Sequence, residues 1–132
     1  MSKSFSDLGI SSLLQQSLSD LQLSVPTDIQ QKAIPIILGK TEDVVAIAKT
    51  GTGKTAAFCL PLLQLVDPKD SNVQALILVP TRELGHQIHA NLVSYASLSS
   101  DISTAALCGG ISIKPQIERL KSTPQIVVAT PG

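Results

Sequence analysis

Residues 46 to 58 read AIAKTGTGKTAAF, and the residue types in this stretch are spaced for one kind of chemistry. Gly51 and Gly53 let the backbone turn its N–H groups inward, Lys54 can reach the outer phosphates of a nucleotide, and the Thr55 hydroxyl can ligate magnesium. Ala48 stands where the general G-x-x-x-x-G-K-[ST] pattern has its first glycine, so the strict pattern is missed by one methyl group. A strand over residues 44–48 is expected to deliver this loop. A helix beginning near Lys54 is expected to leave it and point its positive end at the anion. Hydrolysis asks for more, because magnesium in such sites also takes a carboxylate from the end of a second apolar strand. Here ALILVP runs into Thr81-Arg82 and QIVVAT into Pro131-Gly132. Asp43 precedes the expected strand, Asp67 lies beyond the expected helix and Glu83 belongs to PTREL, so none of the three is expected at the γ-phosphate.

The elements that must position this loop follow from periodicity. Apolar residues recur at helical spacing in SLLQQSLSDLQL and in TDIQQKAIPIILG, where Thr27 suits an N-cap and Gly39 a stop. From Val44 the pattern changes to apolar, β-branched runs bounded by turn signals: DVVAIA, ALILVP, ISTAALC and QIVVAT read as buried strands. Between them lie three helical stretches, KTAAFCLPLLQLV, RELGHQIHANLVSYA and IKPQIERLK, each of crossover length. The alternation predicts an α/β fold with a mostly parallel sheet flanked by helices. It divides into a helical region over residues 1–42 and βα units over 43–132. No helix follows QIVVATPG to cover it, so the sheet is expected to be cut short, with apolar strand surface open to self-association.

With 132 residues, 43% apolar and 15% charged, the chain is globular rather than disordered. Ten basic residues balance ten acidic ones, so no net field draws it onto nucleic acid. Only Phe5, Phe58 and Tyr95 are aromatic, too few for a base-stacking platform, so any RNA contact should be to the backbone. No apolar run reaches the roughly 20 residues of a membrane span, and MSKSFSDLGISS has no secretory h-region, which predicts a cytoplasmic protein. Cys59 and Cys108 lie in apolar stretches and read as reduced core thiols. His86 and His89, three apart on one helical pattern, lack a third metal ligand nearby and read as solvated helix residues.

Taken with its neighbours, the loop resembles the phosphate loop of DEAD-box ATP-dependent RNA helicases, and the whole chain is similar to the first half of their N-terminal RecA-like domain. In that family the loop commonly begins with alanine, as Ala48 does. The resemblance therefore assigns ATP or ADP with Mg2+ to Ala48, Lys49, Thr50, Gly51, Thr52, Gly53, Lys54, Thr55 and Ala56, the metal going to Thr55. Lys49 replaces a usual glutamine. PTDIQ, from Pro26 to Gln30, is similar to the family's Q motif and implies that Thr27 and Gln30 serve the nucleotide, Gln30 at the adenine edge. Phe5 lies where the family carries an aromatic that covers adenine, although Gln22 and Leu23 replace the motif's usual glycine and phenylalanine. Pro80, Thr81 and Arg82 of PTREL, the pair Gly109-Gly110, and Thr130, Pro131 and Gly132 resemble the elements that hold the RNA backbone.

The resemblance implies an RNA-stimulated ATPase whose transition-state arginines come from a second helicase domain. The 132-residue chain alone is expected to bind adenine nucleotide without hydrolysing it, and to bind RNA weakly. A P-loop kinase or GTPase would share Gly51 to Thr55, but a GTPase should carry an N-K-x-D stretch, which is absent. A non-catalytic adenine-nucleotide-binding or interaction module would lack the acid, as this chain does.

Overall fold

The structure is a computed structural model that describes residues 3–99 and 101–132. The chain forms two compact units, one of Met1–Leu65 with Tyr95–Ser99, the other of Val66–Ser94 with Ser100–Gly132. As expected from the alternation, it is α/β with a small parallel sheet.

The first unit is helical. Helix α1 (Ser12–Asp20) starts at Ser11, whose hydroxyl accepts from Leu14 N–H at 3.5 Å. Helix α2 (Asp28–Gly39) starts at Thr27 with a reciprocal capping box to Gln30 and stops at Lys40, which is left-handed at φ 55°. Helix α3 (Lys54–Leu65) begins at the predicted lysine and packs on α2. The core between them collects Phe5, Leu8, Leu14, Leu18, Ile34 and Leu60. A side-chain amide ties the N-terminal turn to this core. Gln64 of α3 accepts from Ser11 N–H at 2.7 Å and donates to the Gly9 carbonyl, with Gly9 left-handed at φ 88°. Cys59 is fully buried, and burial pushes its thiol up to about 12, the inert core thiol predicted.

One expected strand is absent. Residues 43–49 adopt no helix or strand, and Val45 and Ile47 are 91% exposed. The period-2 alternation of a strand persists, since Val44 and Ala46 line an apolar cavity of about 260 Å³ together with Ile29, Ala33, Ile37 and Phe58. A strand is defined by its ladder, however, and among the described residues no backbone hydrogen bond links this segment to another.

The second unit holds the sheet. Strand β1 (Ala75–Leu78), helix α4 (Arg82–Tyr95), strand β2 (Thr104–Leu107), helix α5 (Ile113–Lys121) and strand β3 (Ile126–Ala129) follow in order. The sheet order is β1-β3-β2, all parallel, with Ile126 opposite both Ala75 and Thr104 and Ala129 opposite both Leu78 and Leu107. Central β3 is buried, as its continuous apolar run requires. Edge strand β1 departs from the prediction of a buried strand, because Leu76 and Leu78 are 60% and 62% exposed. Gly85 lets α4 lie close to the strands. A Cβ there would stand 3.1 Å from Cys108 Sγ and 3.2 Å from a Val79 methyl. Helix α5 buries none of its residues and is attached by polar contacts, Arg119 donating to the Thr104 carbonyl at 2.5 Å.

His86 is exposed as predicted, but His89 is half-buried on α4, with Nε2 3.1 Å from Thr104 Oγ1. Burial, reinforced by the positive charges of Arg119 and His86, lowers its pKa, while a hydrogen bond to Thr104 opposes this. A histidine with a depressed folded-state pKa binds fewer protons folded than unfolded. Its contribution to stability is therefore complete above its ordinary value of about 6.5 and is lost as the pH falls through the lower folded value. The thermal midpoint should fall between about pH 7 and about pH 5, and His89→Gln should reduce that fall; equal slopes for the two proteins would refute the assignment.

Candidate functional site

The phosphate loop has the geometry its sequence demands. Gly51 and Gly53 are left-handed at φ 79° and 87°, where a side chain is strained. Nothing lies within 4 Å of where a Gly51 Cβ would be, whereas a Cβ on Gly53 would run into the Gln30 amide and stand 3.0 Å from the Thr27 hydroxyl. The Thr52 hydroxyl donates to the Lys49 carbonyl at 2.5 Å. Among the described residues, no partner accepts from the N–H groups of residues 49–55. Lys54 is exposed at the start of α3 and Thr55 is partly so.

The Q-motif residues sit against this loop within the same unit. Gln30 is only 6% exposed; its Oε1 accepts from Thr27 N–H at 3.0 Å and its Nε2 donates to the Gly53 carbonyl at 3.1 Å. An amide has two acceptor and two donor positions, so each end of Gln30 keeps one unused. A cleft of about 310 Å³ opens beside it, lined by Thr27, Asp28, Ile29, Ala48 and Thr52. Phe5 is a core residue here, 5% exposed, so its ring offers little open face.

In the second unit the parallel register brings the three other elements to the carboxyl ends of adjacent strands. PTREL follows β1, Gly109-Gly110 follows β2 and Thr130-Pro131-Gly132 follows β3. Thr81 caps α4, its hydroxyl accepting from Leu84 N–H at 3.3 Å. The Thr130 hydroxyl accepts from Gly109 N–H at 3.3 Å. Gly110 is left-handed at φ 81°, and the Arg82 guanidinium occupies the place a Cβ would take. Beside these loops lies a cleft of about 500 Å³ bounded by Gly109, Gly110, Ile113, Gln116, Thr130 and Gly132. Crevices at the carboxyl ends of parallel strands are where open α/β sheets receive ligands.

Two residues without a role in the sequence reading hold these parts, Gln64 at the N-terminal turn and Gln116 at the glycine pair. Their only sequence signal is a polar residue within a helix next to a loop. No group of three or more His, Cys, Asp or Glu is placed to hold a metal ion among the described residues, and no helix there is long and apolar enough to cross a membrane.

Comparison with known proteins identifies the family. Residues 27–132 match the family described as DEAD/DEAH box helicase. The chain is 44% identical to the ATP-dependent RNA helicase CshA of Listeria monocytogenes over 97% of its own length and 24% of that protein's. It is 42% identical to the ATP-dependent RNA helicase DeaD of Escherichia coli, over 97% of this chain and 20% of DeaD. The chain thus spans about a quarter or less of these two relatives' lengths. Among solved structures, a DEAD box protein from Methanococcus jannaschii superposes with a TM-score of 0.91 at 38% identity, over 100% of this chain and 36% of that one. A Saccharomyces cerevisiae Dbp5 variant bound to RNA and ADP BeF3 gives 0.86 at 32% identity, over 98% of this chain and 32% of that one. With the family match covering residues 27 to 132 of 132, the chain belongs to the DEAD/DEAH box helicase family.

Proposed function

We propose that this chain supplies the adenine-nucleotide site and part of the RNA-backbone surface of an ATP-dependent RNA helicase. The observation that carries the reading is Gln30, whose one amide joins the Q motif at Thr27 to the phosphate loop at Gly53 beside an open cleft. The residues suit a magnesium nucleotide: left-handed glycines, free loop N–H groups, an exposed Lys54 for the outer phosphates and the Thr55 hydroxyl for the metal. The unused positions of Gln30 suit an adenine edge, while Phe5, buried in the core, takes no part in the lining of the cleft. When bound, Mg2+ supplies charge that offsets the negative charge developing on the transferring phosphoryl group. The chain's own residues bind and orient. Asp43 and Glu83 are exposed, and the Asp67 carboxylate caps its own turn by accepting from Lys69 N–H at 2.9 Å.

RNA is held by its phosphates, without sequence preference, at Pro80 to Arg82, Gly109-Gly110 and Thr130 to Gly132. Support comes from the contacts that join these loops, Arg82 on Gly110 and Gly109 N–H to the Thr130 hydroxyl, and from the relative bound to RNA. Arg82 is the one basic side chain among them, so the contact should be weak without a second helicase domain.

Titration with ADP and GDP tests the base assignment. ADP should bind at least about tenfold more tightly, because guanine leaves the remaining donor and acceptor positions of the Gln30 amide unpaired, and Gln30→Ala should erase most of the difference. Equal affinities would remove Gln30 from adenine reading. ATP turnover by the 132-residue chain should match buffer with or without RNA, for want of an acid at the γ-phosphate. Turnover that disappears in Lys54→Ala would contradict this. Exposed Val45 and Ile47 support self-association, so sedimentation should show mass rising with concentration; a sharp monomer throughout would count against it.

A further inference from the structure

The glycine pair after β2 is a loop that does not hold itself. Among the described residues, no backbone–backbone hydrogen bond involves residues 109–112, and Gly110 is left-handed at φ 81°. Its carbonyl side is gathered by a single side chain from the following helix. Gln116 Nε2, with two N–H groups to share, lies within hydrogen-bond reach of the carbonyls of Cys108 at 3.1 Å, Ser112 at 3.3 Å and Ile111 at 3.5 Å. The amphipathic pattern of α5 makes this placement unusual. Ile113 and Ile117 are 70% and 47% exposed, while Gln116 is the one residue from Gly109 to Thr123 that is not exposed. The helix therefore turns an amide toward the loop and leaves aliphatic residues in water.

We infer that Gln116 is a positioning residue for RNA binding. By drawing the loop carbonyls inward it leaves the N–H groups of Gly110, Ile111 and Ser112, which have no backbone acceptor among the described residues, free for a phosphate. The inference rests on the RNA reading of the glycine pair. It adds the residue that sets the loop's shape, which neither the family resemblance nor the relatives' names assign. An amide nitrogen suits the task because it is purely a donor there, and a carboxylate in its place would face three carbonyl oxygens.

The test compares Gln116→Leu, similar in size without a donor, and Gln116→Glu, similar in shape with acceptors only at neutral pH. Affinity of the 132-residue chain for a labelled single-stranded uridine oligonucleotide is measured at low salt, beside ADP affinity and amide exchange of residues 109–112. Both variants should bind the oligonucleotide about tenfold more weakly, the scale of one lost hydrogen-bonded anchor, with ADP affinity unchanged and faster loop exchange. Relative to wild type, Gln116→Glu should recover part of the loss from about pH 7 to about pH 5, as its carboxyl gains a proton to donate. Gln116→Leu binding RNA within about twofold of wild type would overturn the positioning role and leave the RNA reading standing. Loss of ADP binding in step with RNA would overturn it as well, since that marks general destabilisation. A wild-type chain that binds no oligonucleotide while still binding ADP would instead overturn the RNA reading itself, and the inference with it.

Discussion

A loop that receives phosphate through its backbone N–H groups cannot commit those groups to its own secondary structure, so its shape must be fixed from the carbonyl side. This constraint organises both candidate sites. In the first unit the Gly53 carbonyl is held by the Gln30 amide and the Lys49 carbonyl by the Thr52 hydroxyl. In the second, the carbonyls of Cys108, Ile111 and Ser112 converge on Gln116. The donors in each case are neutral. A lysine or arginine could also hold carbonyls, but would bring a charge able to compete for the phosphate itself. Neutral amides fix the loop without offering the anion a second site.

The same constraint is how the proposed function would work in a chain with ten basic and ten acidic residues. Recognition through N–H groups and helix N-termini relies on partial charges fixed in the backbone, which act at short range and need no net charge. What such a surface lacks is long-range attraction, so tight binding must come from geometry or from further charged parts. Lys54 and Arg82 are the charged exceptions, and Arg82 lies across Gly110, where only a glycine leaves room for its guanidinium.

Much of this was legible in the residues. The left-handed turn at Gly51 and Gly53, the start of α3 at Lys54, the cap at Thr27 and the runs that became β1, β2 and β3 all follow from local patterns that encode local structure. DVVAIA failed as a strand because an apolar run reports a preference for burial in a sheet, while a ladder requires a partner that no local pattern encodes. Leu76 and Leu78 look as buried as Val127 and Val128 in sequence, yet position in the sheet separates them: β1 is an edge and β3 is central. His89 looked solvated because the helical pattern shows spacing and not what stands opposite, which is Thr104. Gln64 and Gln116 were invisible for the same reason. A glutamine's composition says that it will bond, and only the fold says to which carbonyl.

Gln64 shows how far such a contact can reach. Helix α3 begins at Lys54, beside the phosphate loop, and Gln64 stands one residue before its end at Leu65. At about 1.5 Å rise per residue, its ten-residue offset from Lys54 corresponds to about 15 Å along a helix that accommodates Pro61 on the way. The Gln64 amide grips Gly9 and Ser11, and so fixes the turn that carries Phe5 into the core. The phosphate loop and the N-terminal turn are thus fastened to opposite ends of one helix. Their separation is set by this helix rather than by the intervening chain. The segment over residues 43–49, which has no ladder of its own, can then remain unpaired without disturbing the spacing between them.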